Sequence, residues 1–165
     1  MNITLIGMPG VGKSYIGKEL ARRLGYDFVD VDSVIEEKTK KKLQEIIDKL
    51  GNEELSRIEE ECVLGLGDCD NKVLSPGGSV VYLPKAMDFL KKISVLVYLK
   101  DSLENIEKRV TNHETRGIIG FKEKGMNGLF DERTVLYEKY ADVTVQIPED
   151  FNADTVVEKI LEEIK

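Results

Sequence analysis

The sequence is short of cysteine, of hydrophobic continuity and of positive charge, and each shortage removes a class of protein. Its two cysteines, Cys62 and Cys69, form no metal-ligand pattern and supply no disulfide framework, which suits a reducing compartment. No apolar run approaches the roughly 20 residues a membrane-spanning helix needs, so no membrane association is expected. The net charge of −7, from 24 Lys and Arg against 31 Asp and Glu, opposes a broad basic face. Neither nucleic acid nor anionic lipid is therefore an expected partner, although a local cationic pocket for one phosphate ligand stays compatible. Strand-like sequence starts directly after Met1, with no basic start, apolar stretch or small-residue cleavage site, so a cytoplasmic location is the expectation. No repeat, low-complexity tract or interdomain linker is visible. A length of 165 residues, 41% of them hydrophobic and 33% charged, then predicts one globular domain rather than two or a disordered chain.

What is present is an alternation of strand and helix patterns. Asn2 to Ile6 is an apolar, β-branched run that ends at a glycine loop, and Lys13 to Leu24 follows with apolar positions at Ile16, Leu20 and Leu24. Strands are predicted again at Tyr26 to Val31, Lys72 to Leu74, Ile93 to Leu99 and Val143 to Ile147. Helical patterns cover Ser33 to Glu37, Leu43 to Leu50, Glu53 to Leu66, Pro84 to Lys91, Ser102 to Val110, Leu129 to Tyr140 and Asp154 to Ile164. The near-continuous apolar character of Ile93 to Leu99 is that of a buried parallel strand. The pattern implies an α/β fold with helices on both faces of a parallel sheet. Thr111 to Gly128 is the one long irregular stretch, and loops of that length in a compact domain are usually lids or disordered.

The segment Gly7-Met8-Pro9-Gly10-Val11-Gly12-Lys13-Ser14 satisfies G-x-x-x-x-G-K-[ST] in full, between a predicted strand and a predicted helix. Glycines let the backbone curl until successive N–H groups point at a phosphate, and the helix N-terminus adds partial positive charge. Gly10, Val11, Gly12, Lys13 and Ser14 are thus the expected nucleotide-binding residues, with Lys13 on the β- and γ-phosphates and Ser14 on Mg²⁺. A guanine-nucleotide switch would carry Asn-Lys-x-Asp, and here Asn71-Lys72 is followed by Val73-Leu74. Asp101 follows the fourth strand and has two readings, a second metal carboxylate or, preferred, an ordinary charge at a helix N-terminus.

Asp30 and Asp32 flank Val31 at the end of the second strand, and residues two apart on a strand point to one side. Both carboxylates are expected to face the crevice at the carboxyl ends of the strands, one toward Mg²⁺ and one toward an acceptor hydroxyl. Pro76-Gly77-Gly78-Ser79 follows the third strand, where bare backbone can approach a ligand closely.

In this order the motifs resemble the shikimate kinase family over nearly the whole chain. They comprise the phosphate loop, Asp30-Val31-Asp32, Arg57-Ile58-Glu59-Glu60, Gly77-Gly78-Ser79-Val80, Arg116, and Glu132-Arg133 with Leu136-Tyr137. The resemblance implies a three-layer P-loop kinase fold with a five-stranded parallel sheet in the order 2-3-1-4-5, and ATP-dependent phosphorylation of the shikimate 3-hydroxyl. It implies that Asp30, with Ser14, serves the Mg²⁺ environment, and that Asp32, Gly77, Gly78 and Arg133 bind the acceptor, Arg133 through its carboxylate. It places Arg109 near the adenine and makes Lys13, Asp32 and Arg116 the catalytic set, with Arg116 reaching the phosphates from a mobile lid at about 111–128 of a single domain spanning 1–165. A monomer is the expected state.

Three positions depart from the family pattern. Ser56 stands where an arginine usually shares the substrate carboxylate, and Arg57 cannot replace it because adjacent helical residues point about 100° apart. Pro76 stands in place of the usual third glycine of the glycine triplet, and Gly117 replaces the proline expected after the lid arginine. Another small polyol or hydroxy acid as acceptor, or a nucleotide-binding regulatory module without turnover, are the competing readings. His113, the only histidine, is expected to be solvated, and Cys62 to pack with Leu55, Ile58 and Leu66.

Overall fold

The run Asn2–Ile6 is β1, the central strand of a five-stranded sheet in the computed structural model, which describes residues 1–165. β2 (Asp27–Asp30), β3 (Lys72–Ser75), β4 (Ser94–Lys100) and β5 (Val143–Gln146) complete it in the order β2-β3-β1-β4-β5, and every pair is parallel. The order matches the implied topology. β4 alternates by period 2, sending Leu96 and Tyr98 to one face and Val97 and Leu99 to the other. Both faces are covered, so both sets are apolar.

On one face lie α1 (Lys13–Leu24) and α8 (Ala153–Glu163), whose Ile16, Leu20, Val156 and Ile160 close a core of 14 buried residues. The larger core of 23 residues lies on the other face. There pack α2 (Val31–Thr39), α3 (Leu43–Leu50), α4 (Asn52–Leu64), α5 (Pro84–Ile93) and α7 (Phe121–Tyr140), while α6 (Leu103–Arg109) contributes Ile106. Cys62 is buried in this core, as its spacing from Leu55 and Ile58 predicts.

Three local differences from the sequence reading bear on the site. Asp30 ends β2 and its carboxylate caps α2, accepting from the Asp32 and Ser33 N–H groups at 3.0 and 3.4 Å, so Asp32 is helical and not on the strand. The tract Gly78–Tyr82 winds into a 3₁₀ turn. Irregular backbone extends over 110–120 apart from a short 3₁₀ turn at His113–Thr115, whereas residues 121–128 belong to α7, which kinks at Gly125 (φ 66°, ψ 174°). Two glycines in eight residues mask that first turn in the sequence.

Candidate active site

A cavity of about 350 Å³ opens at the carboxyl ends of the strands, where β1, β2 and β3 give way to their loops. Its floor is the phosphate loop. Gly12 takes φ 103° immediately before α1, a conformation open to glycine at little cost. The Lys13 ammonium folds back over the loop and donates to the Gly7 and Met8 carbonyls at 2.8 and 3.0 Å. Burial lowers its pKa to about 8, Asp32 opposing and Arg116 and Arg133 reinforcing the shift.

Beside it the Ser14 hydroxyl donates to Asp30 Oδ2 at 3.0 Å, which brings the two proposed metal-side residues into contact. Asp30 therefore has one oxygen on the cap of α2 and the other at the phosphate loop. Asp32, in the first turn of α2, is pushed up to about 6 by burial and then by the Asp30 carboxylate, against the pull of Lys13. The strand-parity argument for this pair fails, yet both carboxylates line the same cavity because the chain turns from strand to helix between them.

The wall opposite carries Arg133, only 1% exposed. Its Nη2 donates to the Ile119 carbonyl at 2.7 Å, its guanidinium lies 5.3 Å from the Tyr82 ring centroid, and Nε has no partner. The backbone at Gly77 and Gly78 fits between these charged groups. A Cβ at Gly77 would lie 2.7 Å from Glu59 Oε1 and 3.2 Å from Asp32 Oδ1, and one at Gly78 would lie 3.1 Å from Arg133 Nη1. The Gly78 carbonyl is also held by the Tyr137 hydroxyl at 2.6 Å.

Glu59 is a cavity residue that reasoning from sequence leaves without a role. Its Oε2 accepts from the Ser79 hydroxyl at 2.7 Å and its buried Oε1 has no partner. Burial, then the Asp32 carboxylate, raise its pKa to about 7. One signal was available: Glu59 falls four residues after Leu55 on the apolar face of α4, where a carboxylate is costly without a purpose. Ser56 does not line the cavity, and Arg57 faces outward, paired with Glu54 and Glu61.

Arg116 lies exposed at the cavity rim with no carboxylate partner, on the 110–120 segment that crosses the mouth. This segment is docked. Gly117 N–H donates to Gln44 Oε1 at 3.2 Å and Gly120 N–H to Asn52 Oδ1 at 3.5 Å. Gly117 stands at φ 76°, which a proline ring cannot adopt, so this loop follows a course closed to a chain with proline here. His113 packs 5.7 Å from the Phe121 ring with its Nε2 buried, and is not the solvated side chain expected. Arg109, at the end of α6, reaches the rim from the other side, with Nε 3.4 Å from the Gly10 carbonyl. Asp101 lies outside the cavity lining, buried, with its carboxylate taken up by Arg109 Nη2 at 2.6 Å.

Comparison with known proteins gives a consistent picture. The family model described as Shikimate kinase matches residues 9–165. A shikimate kinase of Thermodesulfovibrio yellowstonii is 37% identical over 164 residues, covering 98% of this chain and 94% of that protein. Among solved structures, a shikimate kinase from Acinetobacter baumannii in complex with shikimate superposes with a TM-score of 0.91 at 30% identity, covering 99% of this chain and 92% of that one. The Aquifex aeolicus shikimate kinase superposes with a TM-score of 0.85 at 29% identity, with coverage of 99% and 96%.

Proposed function

Since the chain belongs to the shikimate kinase family, we infer that it transfers the γ-phosphoryl group of ATP to a hydroxyl of shikimate, and that the residues around the cavity divide this work as follows. The observation that carries the assignment of roles is the convergence of Lys13, Asp32 and Arg133 on one cavity at the strand ends. Phosphate-binding, proton-accepting and carboxylate-binding groups then lie within reach of one small substrate.

Phosphoryl transfer needs little covalent help from the protein and much positioning and charge stabilisation. The loop N–H groups and Lys13 hold the β- and γ-phosphates, Lys13 exchanging its two carbonyl partners for phosphate oxygens. Arg116, free of any carboxylate, is the cation available to swing onto the transferring group. Asp32, half-buried with a raised pKa, orients or deprotonates the acceptor hydroxyl. Glu59 Oε1 and the Gly77 and Gly78 backbone complete the hydroxyl-binding side, and Arg133 Nε and Nη1 receive the acceptor carboxylate.

The Ser14 hydroxyl and Asp30 Oδ2 offer two adjacent hard oxygens, and no cluster of three or more His, Cys, Asp or Glu side chains is present. That suits Mg²⁺, which takes few protein ligands and completes its shell with phosphates and water. When bound there it neutralises phosphate charge; Ser14 and Asp30 would hold it. The 110–120 segment acts as the lid, excluding water when docked and opening for exchange. No helix is long and apolar enough to cross a membrane, and a cytoplasmic monomer is the proposed state.

The test is ADP release with shikimate and a panel of related polyols and hydroxy acids. Turnover that requires shikimate supports the assignment; preference for another acceptor, or ATP binding with no transfer to any, overturns it.

A further inference from the structure

Asp101 and Glu59 are the two fully buried carboxylates of the chain, and the chemistry above uses only Glu59. The Asp101 side chain is 1% exposed. One oxygen accepts from Ser102 N–H at 2.8 Å and Asn105 Nδ2 at 3.0 Å, and the other accepts from Arg109 Nη2 at 2.6 Å. A buried carboxylate is retained against its desolvation cost only where its partners are well placed, and here the partner is a half-exposed arginine at the rim of the phosphate loop.

That arginine is fixed on three sides. Besides Asp101, its Nε donates to the Gly10 carbonyl at 3.4 Å, and its guanidinium lies 5.3 Å from the centroid of the Phe151 ring. Phe151 is seated against the phosphate loop, since a Cβ at Gly12 would lie 2.8 Å from its Cζ. The residue after it, Asn152, caps α8 by accepting from the Asp154 and Thr155 N–H groups, which holds the Phe151 backbone in place. The ring lies against the guanidinium, and 27% of the side chain stays exposed. A planar cation held beside the phosphate loop and still partly open to solvent is a stacking surface for a planar base. An unanchored arginine would lose side-chain freedom each time a base stacked on it, and the anchors remove most of that loss.

We propose that Asp101 is a positioning residue for nucleotide binding, which locks Arg109 onto the Phe151 ring so that the base of the nucleotide stacks on the guanidinium. The proposal rests on the reading of Arg109 as the adenine-side residue and adds what orients it. Asp101 itself touches no substrate and acts through Arg109 alone.

The experiment measures the ATP KM, kcat at saturating ATP, and inhibition by inorganic tripolyphosphate, which has the phosphates without a base. Asp101→Asn keeps an acceptor for Ser102 and Asn105 and removes the charge that holds Arg109. It should raise the ATP KM about five- to thirtyfold while kcat stays within about twofold, less than the roughly ten- to a hundredfold of a charged hydrogen bond made to the ligand itself, because Asp101 acts only through Arg109. Inhibition by tripolyphosphate should be unchanged. Arg109→Ala should give a similar rise, and the double variant no further rise, because both act through one element. Phe151→Leu, which keeps an apolar contact on Gly12, should also raise the ATP KM with tripolyphosphate unaffected, and it decides the matter if Asp101→Asn does not fold. An unchanged KM in Asp101→Asn beside a raised KM in Arg109→Ala overturns the positioning role. An unchanged KM in Arg109→Ala defeats the adenine-side reading of Arg109 beneath it. Equal weakening of ATP and tripolyphosphate shows a distorted phosphate loop and also overturns the proposal.

Discussion

Replacing Gly117 with alanine should uncouple the lid from the body of the enzyme. At φ 76° an L-residue meets a backbone cost of about 1–2 kcal/mol. The new Cβ would also lie 2.3 Å from Leu43 Cβ and 2.9 Å from Gln44 N, at the start of α3, where neither neighbour is a flexible side-chain end. Overpacking against such atoms adds about 1–3 kcal/mol. The sum, about 2–5 kcal/mol, lowers the ratio of docked to undocked lid by about thirtyfold or more. Gly125→Ala is the matched control, since that glycine also has positive φ (66°) but no atom lies within 4 Å of its would-be Cβ. Hydrogen exchange of the 111–120 amides reads the effect directly. They should exchange faster in Gly117→Ala without nucleotide, kcat should fall, and the melting temperature should move little because the sheet and the smaller core are untouched and the larger core is met only at its edge, at Leu43 and Ile118. Wild-type exchange and turnover in Gly117→Ala would refute the claim that docking on α3 closes the site.

Lys13→Ala should abolish phosphoryl transfer with the fold intact, checked by turnover and circular dichroism, because the ammonium touches only loop carbonyls. Asp32→Asn should lose most turnover while ATP affinity, followed by titration calorimetry, is nearly kept, since an amide can hydrogen-bond but cannot accept the proton. Arg133→Ala should raise the shikimate KM about ten- to a hundredfold, the worth of a hydrogen bond to a charged group, and spare ATP binding, whereas Ser56→Arg should lower the shikimate KM if the longer side chain reaches the cavity that Ser56 does not line. Glu59 has a folded pKa raised to about 7 from an ordinary 4.5, so the native state binds the extra proton and stability should decline as pH rises between those values. Asp32 acts in the same direction over a window ending near 6. Melting temperatures from pH 4.5 to 7.5 should show the decline, and Glu59→Gln should flatten it above pH 6.

Strand β4 and the phosphate loop are legible in the sequence because each rests on a local constraint, a near-continuous apolar run in one case and glycine spacing in the other. The pair Asp30 and Asp32 shows a subtler case. Strand parity predicts a shared side, and the cavity does receive both, but through a helix cap that depends on where β2 stops. Helix α7 begins eight residues before its predicted start, because Gly125 and Gly128 read as loop when packing of Phe121 and Met126 on the larger core is not known. Glu59 and Asp101 illustrate the limit. Periodicity puts Glu59 on the apolar face of α4 and position puts Asp101 at a strand end, but the partners that give each a role, Ser79 for one and Arg109 for the other, are brought to them only by tertiary packing.

The Lys13 ammonium clasped to the Gly7 and Met8 carbonyls has a consequence for the speed of nucleotide capture. With its own lysine as a temporary guest, the empty loop is already wound in its anion-cradling shape. An arriving triphosphate then displaces two hydrogen bonds instead of waiting for a disordered segment to assemble, so encounter rather than loop folding sets the association rate. On release the same lysine returns to the carbonyls and keeps the cradle from collapsing between turnovers.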